Sequence, residues 1–188
     1  MNAPLPAAAL NRLDSVRNEL ARRLRNEVRG EILFDPGSRG RYATDASIYQ
    51  ADPVGVLIPR TMDDVRAAVA LCRDMKVPLA ARGAGTSQCG QTVGELLLID
   101  NSKYLNRVSG FDLDAMTVTV EPGIVLDHLN AWLKPHGVWF PVDVSTAAQG
   151  TSGGRACNNS CGSRSIAYGN MVHNVHSIDA LRADGRLR

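Results

Sequence analysis

The sequence predicts an α+β fold in two subdomains: a small parallel β–α–β unit, then a mixed or antiparallel sheet with helices. Three observations carry that expectation. First, the apolar runs VGVLIP (54–59) and VPLAA (77–81) flank an amphipathic stretch, RTMDDVRAAVALCRDM (60–75). Strand, helix and strand in that order make a right-handed crossover with parallel strands. Second, VSGFDLDAMTVTVEPG (108–123) reads as a hairpin whose second arm, TVTVE, alternates as a half-buried strand does. Third, two stretches rich in glycine, ARGAGTSQCGQTVG (81–94) and QGTSGGRACNNSCGSRSIAYGN (149–170), read as loops.

Taken in order, residues 1–9 are rich in Pro and Ala and read as loose. A helix is expected over residues 10–28, where Leu13, Val16, Leu20, Leu24 and Val28 recur every three or four positions. Its basic segment RRLRNEVR (22–29) reads as a solvated face, because Glu19 and Glu27 interleave with it. Residues 1–29 are thus an N-terminal extension and helix. The main domain covers 30–188, with subdomains over about 40–105 and 106–188. YATDASIYQADP (42–53) is polar and turn-like, and VGVLIP is a buried strand closed by Pro59. Thr61 and Asp64 make a capping-box start for the next helix, with Val65, Val69, Cys72 and Met75 on one face. ELLLID (95–100) is another buried strand. IVLDHLNAWLKPHG (124–137) is a helix with the stripe Leu126, Leu129 and Leu133, and Gly137 lies past its end. SIDALRADGRLR (177–188) reads as a strand, an Asp184–Gly185 turn and the start of a returning strand. A returning arm that has barely begun at Arg188 leads us to expect a domain truncated at its C-terminus.

Composition narrows the function classes. Hydrophobic residues make up 44% and charged residues 21%, ordinary for a globular chain. A net charge of +2 is too small to make nucleic acid or an acidic membrane surface the main partner. No apolar stretch approaches the ~18 residues that span a bilayer. The start, MNAPLPAAALNRLD, lacks a secretory signal pattern. Four scattered cysteines, Cys72, Cys89, Cys157 and Cys161, read as small buried thiols rather than a disulfide frame or a metal set. The expected location is cytoplasmic, or peripheral at the inner face of the membrane. His173-x-x-His176 lies in a loop-to-strand region, which argues against a shared metal. Trp132 and Trp139 are expected in the core or at the edge of a ligand site. Asp63 and Asp64 read as helix-start charges.

The first glycine stretch lacks the Lys-Ser/Thr of a phosphate-binding P-loop, since Gln91 and Thr92 follow Gly90. It also fails GxGxxG, because Gln88 stands at the third glycine position. Its small residues still allow several main-chain N–H groups to converge on an anion, with Thr86, Ser87 and Arg82 adding donors and charge. A pyrophosphate suits such a surface, and a flexible hairpin connector is equally compatible with the glycine content. In the second stretch, Asn158, Asn159, Ser160, Ser163 and Ser165 supply neutral donors and acceptors that suit a heteroaromatic ring edge. Asn-Ser-Gly runs also make plain turns.

Five segments in a fixed order carry a resemblance. TDASIYQ (44–50), RGAGTSQCGQ (82–91), EPGIVLDHLN (121–130), FPVDVST (140–146) and GG-x-x-x-NNSCGSRSIAYG (153–169) resemble the FAD-binding domain of the vanillyl-alcohol oxidase / p-cresol methylhydroxylase type, the PCMH-type domain. Within it, the chain is similar to FAD-linked oxidases related to D-lactate and D-2-hydroxyacid dehydrogenases. The resemblance runs from about Tyr42 to the end of the chain. It implies that Arg82, Gly83, Ala84, Gly85, Thr86, Ser87, Gly90 and Gln91 wrap the FAD pyrophosphate. Pro141, Asp143, Ser145 and Thr146 would line the middle of the cofactor. Gly153, Gly154, Asn158, Asn159, Gly162 and Ser163 would follow the ribityl chain and isoalloxazine. Tyr168, Gly169 and Val175 would lie toward the adenosine end. Ala81, Arg155 and His173 depart from the family pattern, where Pro, an apolar residue and Asp are usual. No histidine is placed for a covalent flavin link, so noncovalent FAD is expected.

The implied function is FAD-dependent oxidation of the CH–OH group of a D-lactate-like 2-hydroxy acid. The alternatives are a noncatalytic flavin-binding module of a larger redox assembly and, more weakly, a nucleotide-phosphate enzyme using the first loop alone. No residue is assigned as catalytic, and the electron acceptor is not named. In the resembled family the base and the substrate cations come largely from a following cap domain, so this chain is expected to be inactive alone. An iron–sulfur cluster is implied only for a further downstream domain.

Overall fold

The computed structural model describes residues 7–188, with side chains from Asp14 onward. The reading of residues 1–9 as loose lies outside the described residues for 1–6, as does the Leu13 side chain; residues 7–9 belong to the first helix, α1 (Ala7–Glu27). The chain continues through β1 (Glu31–Leu33) and α2 (Pro36–Tyr42). The crossover is built from β2 (Gly55–Ile58), α3 (Met62–Met75) and β3 (Leu79–Arg82), with β4 (Leu97–Asp100) after it.

These strands form one sheet in the order β1-β2-β4-β3. β2 and β3 are both parallel to β4, and β1 runs antiparallel at the edge. The crossover therefore skips a position: β4 lies between the two strands that α3 connects. Burial explains why. Leu97, Leu98 and Ile99 are an unbroken apolar run, and only a strand covered on both faces hides every one of them. Alternate residues divide between the faces. Leu57, Leu97 and Ile99 pack with Leu20 and Leu24 of α1 and with Leu71 and Cys72 of α3; Val56, Ile58 and Leu98 pack with Tyr42 and Tyr104 on the other face.

The capping box at α3 is present. Thr61 Oγ1 accepts from Asp64 N at 3.3 Å, and Asp64 Oδ2 accepts from Thr61 N at 3.3 Å. The buried Asp64 carboxylate also accepts from Arg29 N and Arg60 N, both at 2.8 Å, tying the end of α1 to the start of α3. β1 and α2 went unpredicted, although Asp35 caps α2 by accepting from Ser38 N at 2.9 Å and Pro36 occupies its first turn.

The second unit holds the expected hairpin, β5 (Val108–Asp112) and β6 (Thr117–Val120), with a bulge between Val108 and Gly110. α4 (Leu126–Leu133) buries its expected stripe, Leu126, Leu129 and Leu133. Leu129 and Leu133 pack with Ile124 over Phe111, Val118 and Val120. The second glycine-rich stretch is not all loop: α5 (Ser152–Cys157) and α6 (Ser165–Tyr168) interrupt it. Its helical turns were hidden because Gly, Ser and Asn all score low as helix formers. His173 closes a 3-10 turn, Met171–His173, rather than leading into a strand. The terminal hairpin is present but short: Ala180 and Arg188 exchange both main-chain bonds, Arg182 N donates to Arg186 O at 2.9 Å, and Leu181 bridges Leu187 across the Asp184–Gly185 turn.

Two expectations of burial need correction, the core placement of Trp132 and Trp139 and the burial of the cysteines. Trp132 and Trp139 remain 39% and 42% exposed, each held edge-on, Trp132 by Phe111 and Trp139 by Tyr168. Of the four free thiols only Cys72 is buried, and burial pushes its pKa up to about 12. The other three lie on exposed parts of the glycine-rich stretches, where no core is available to cover them.

Candidate functional site

β2, β4 and β3 are parallel, so their carboxyl ends open on one edge of the sheet, where α/β sheets place ligands. The first glycine-rich loop leaves β3 at that edge. Among the described residues, the main-chain N–H groups of Gly83, Ala84, Gly85, Thr86 and Ser87 donate to no protein acceptor. Five consecutive unpaired donors on a loop of small side chains leave the main chain able to bind an anion without a lysine.

The loop is braced from behind. Arg82 does not extend outward: its Nη1 donates to Tyr42 O at 3.3 Å, and its guanidinium lies 5.2 Å from the Tyr42 ring. The Tyr42 hydroxyl donates to Asp100 Oδ2 at 2.7 Å, and Ser102 donates twice to the other oxygen of that carboxylate. Burial, then the Asp100 hydrogen bond, hold the phenol above its ordinary pKa, so it stays a donor. Arg82 also fills the space behind Gly85, where a Cβ would stand 2.5 Å from Nη2, and Gly85 takes a left-handed φ of +69°. From the other side Ala46 N donates to Gly85 O at 3.0 Å, and Thr92 Oγ1 donates to Asp45 Oδ2 at 3.2 Å. The polar 42–50 segment is thus the outer brace of the loop.

The second glycine-rich stretch meets the first at two points. Gly83 lies against Thr151, and a Cβ at 83 would stand 2.1 Å from Thr151 Oγ1. Further along, Gln91 Nε2 donates to Asn158 Oδ1 at 2.7 Å; Ser87 Oγ donates to Gln91 Oε1, and Asn158 Nδ2 donates to Gly154 O at 2.8 Å. Gly153 N donates to Pro122 O at 2.8 Å, seating α5 on the loop before α4.

The 141–146 segment closes the second stretch from below. Asp143 accepts from Arg164 N at 2.9 Å and from Ser163 Oγ at 2.7 Å. Those two bonds, the amide first, hold its carboxyl below the usual range. Gly162 lies directly on Asp143, with room for no Cβ at all. Pro141 is half-buried beside Val142, Ser145 is exposed, and Thr146 O closes a turn by accepting from Gln149 N at 2.9 Å.

The structure therefore brings Gly83 to Ser87, Gln91, Gly153, Gly154 and Asn158 together, with Asp143, Gly162 and Ser163 as one adjoining group. Gly90 sits beside them under the Tyr49 ring. Tyr168, at the end of α6, and Gly169, just past it, lie apart from that contact zone, and Tyr168 packs edge-on against Trp139 at 5.4 Å. Asn159 turns the same way: its Oδ1 accepts from Val172 N at 3.0 Å, and it shares a concavity of about 530 Å³ with Val175, Met171 and Ile178.

Two participants escaped the sequence reading. Thr151 carries no motif, yet it is the contact between the two loops. Arg155 was noted only as a departure. It is 4% exposed, donates from Nη1 to Val142 O and from Nη2 to Ser152 Oγ, both at 3.2 Å, and lies 5.2 Å from the Phe140 ring. Its Nε has no acceptor, and burial pulls its pKa down to about 10.

Comparison with known proteins gives three kinds of likeness. The sequence model of the family described as "FAD binding domain" matches residues 53–188. The chain is 36% identical over 167 residues to a D-2-hydroxyglutarate dehydrogenase of Pseudomonas putida, covering 85% of this chain and 17% of that protein. It is 34% identical over 166 residues to glycolate oxidase subunit GlcD of Bacillus subtilis, covering 85% of this chain and 35% of that one. The chain thus spans well under half the length of these relatives. Among solved structures, an alkyldihydroxyacetonephosphate synthase shares the fold with a TM-score of 0.81 at 21% identity, over 89% of this chain and 37% of that one.

Proposed function

The chain belongs to the FAD binding domain family, and we propose that it is the cofactor-holding part of a flavin-dependent oxidoreductase acting on a 2-hydroxy acid. The observation that carries the cofactor reading is the run of five main-chain donors without protein acceptors, Gly83 to Ser87, at the carboxyl edge of the parallel sheet. Fit to a dinucleotide is tested by the backbone. Diphosphate needs free N–H groups and close main-chain approach, and this loop offers five unpaired amides and glycines at Gly83 and Gly85 while its own arginine is engaged behind it.

In this reading Gly83 to Ser87 hold the diphosphate, with Gln91 at the rim. Arg82 sets the loop's shape rather than touching phosphate. Asp143, Gly162 and Ser163 fix the wall on the ribityl side, with Gly153, Gly154 and Asn158 opposite the first loop. Pro141, Ser145 and Thr146 complete the middle. Asn159, Tyr168, Gly169 and Val175 would serve an end of the cofactor that reaches beyond the contact zone. When bound, FAD supplies a two-electron acceptor for the carbon bearing the substrate hydroxyl. The link is noncovalent in this reading, since no histidine lies among the residues that line the two facing loops. The hydroxy-acid substrate is supported by the relatives' names, a D-2-hydroxyglutarate dehydrogenase and a glycolate oxidase subunit. Free thiols support a reducing, cytoplasmic setting. No described helix is long and apolar enough to cross a membrane.

Two measurements test this. Calorimetric titration of folded flavin-free protein with FAD should release heat with one-to-one stoichiometry, and acid precipitation should free the flavin into the supernatant. On the intact protein, anaerobic addition of D-2-hydroxyglutarate, D-lactate or glycolate should bleach the flavin band near ~450 nm. No heat with FAD would sink the cofactor reading. Bound flavin that none of the three acids bleaches would favour a noncatalytic flavin carrier.

A further inference from the structure

Among the described residues, Arg155 is the one strongly buried cation whose bonds go only to neutral groups. Its two hydrogen bonds reach a carbonyl and a hydroxyl, and no carboxylate among the described residues lies within ion-pair distance. The nearest acidic residue in sequence, Asp143, is turned to Ser163 and the Arg164 amide instead. The other deeply buried arginine, Arg39, is paired with Asp52. A guanidinium taken out of water without an anion is unfavourable, because its lost hydration is not replaced. Yet Arg155 lies between two segments that border the loop contact zone. It belongs to α5 with Gly153 and Gly154, one turn from Thr151, which touches Gly83, and it reaches across to Val142 beside Pro141 and Asp143.

We propose that the counter-charge missing from buried Arg155 is the diphosphate of FAD, felt across α5 rather than by direct contact. This rests on the FAD-binding reading. In an interior where water is excluded, charges interact over several ångströms far more strongly than in solvent. Arg155 then acts as a fixed positive charge behind the second glycine stretch, while the first supplies main-chain donors. The arrangement destabilises the flavin-free protein and strengthens its hold on a dianionic cofactor.

These two consequences have opposite signs, and that makes the inference testable. On the intact protein, R155M should raise the melting midpoint of the flavin-free form by about 2–4 °C or more, since an apolar chain of similar length replaces a desolvated charge. The same change should weaken FAD binding about tenfold or more while leaving riboflavin, which has no phosphate, within about twofold. R155K, which keeps the charge, should recover most of the FAD affinity. Equal losses for FAD and riboflavin, or unchanged FAD affinity, would overturn the inference, as would an R155M protein that melts earlier or fails to fold. Absence of FAD binding by the unmodified protein would instead sink the reading beneath it.

Discussion

Replacing Gly162 with alanine probes the wall of the site at its tightest point. An alanine Cβ there would stand 1.1 Å from the Asp143 carbonyl oxygen and 2.3 Å from its carbon, where ordinary contact begins at 3.4 Å. The obstacle is backbone, so no rotamer relieves it, and the two segments must separate by about 2 Å. Overpacking by one methyl costs about 1–3 kcal/mol when the surroundings can yield, and main-chain overlap places this change at or above the top of that range. At about 2–4 °C per kcal/mol for a chain of this size, the melting midpoint should fall by roughly 6–12 °C. The parting also pulls Ser163 and the Arg164 amide off Asp143, so FAD affinity should fall at least about tenfold in a protein that still folds. Gly40→Ala is the matched control. It lies in α2 with nothing within 4 Å of its Cβ position, so alanine there should be neutral or stabilise by about 0.4–1 kcal/mol. Differential scanning calorimetry with and without FAD reads both. G162A melting and binding like the unmodified protein would refute the close contact between the 141–146 segment and the second glycine stretch.

The loop junction and the acid limb of binding supply two more expectations. Gly83→Ala puts a methyl 2.1 Å from Thr151 Oγ1, so it should weaken FAD binding about tenfold or more; Thr151→Ala added to it should restore much of the loss, and a double variant as weak as the single one would show that the loops do not meet there. Asp143, held below its usual pKa by the Arg164 amide and Ser163, steadies the second stretch above the carboxylate's unfolded pKa, and that contribution disappears as pH falls through the lowered folded value. FAD affinity should therefore drop below about pH 4 in the unmodified protein; Asp143→Asn should bind more weakly at neutral pH and lose little more on acidification, and parallel acid curves for the two would contradict the assignment.

The parallel unit was legible because its signals are local and redundant. The capping residues Thr61 and Asp64, the helical period of Val69 and Cys72, and the unbroken apolar run at Leu97 to Ile99 each specify an element without knowledge of the rest. Strand order was not legible. Nothing in VPLAA says that β4 will enter between β3 and β2, since that depends on which strand must be covered on both faces. β1 failed for want of length, with three residues carrying no period, although its neighbour α2 announced itself in Asp35-Pro36. α5 failed because propensity opposed it. Its turn is fixed by seating Gly153 on Pro122 and Arg155 on Val142, both distant in sequence.

The same distinction separates residues that hold a ligand from residues that hold the loop. Glycine spacing reveals where main chain must come close, but not what it comes close to: at Gly83 the neighbour is Thr151, at Gly162 it is Asp143, and at Gly85 it is the loop's own Arg82. A leading arginine beside a run of free amides invites a direct charge pairing, yet the guanidinium of Arg82 is committed to Tyr42, which is in turn committed to Asp100. With that side chain engaged inside, the proposed hold on a diphosphate rests on the loop's free amides and, in the inference above, on charge behind the opposite wall. Arg155 is the buried guanidinium in that position without an acid of its own. The sequence singles out Arg82 as the loop's arginine and Arg155 only as a departure; their partners reverse that emphasis, since Arg82 is engaged with Tyr42 while buried Arg155 has no acid of its own.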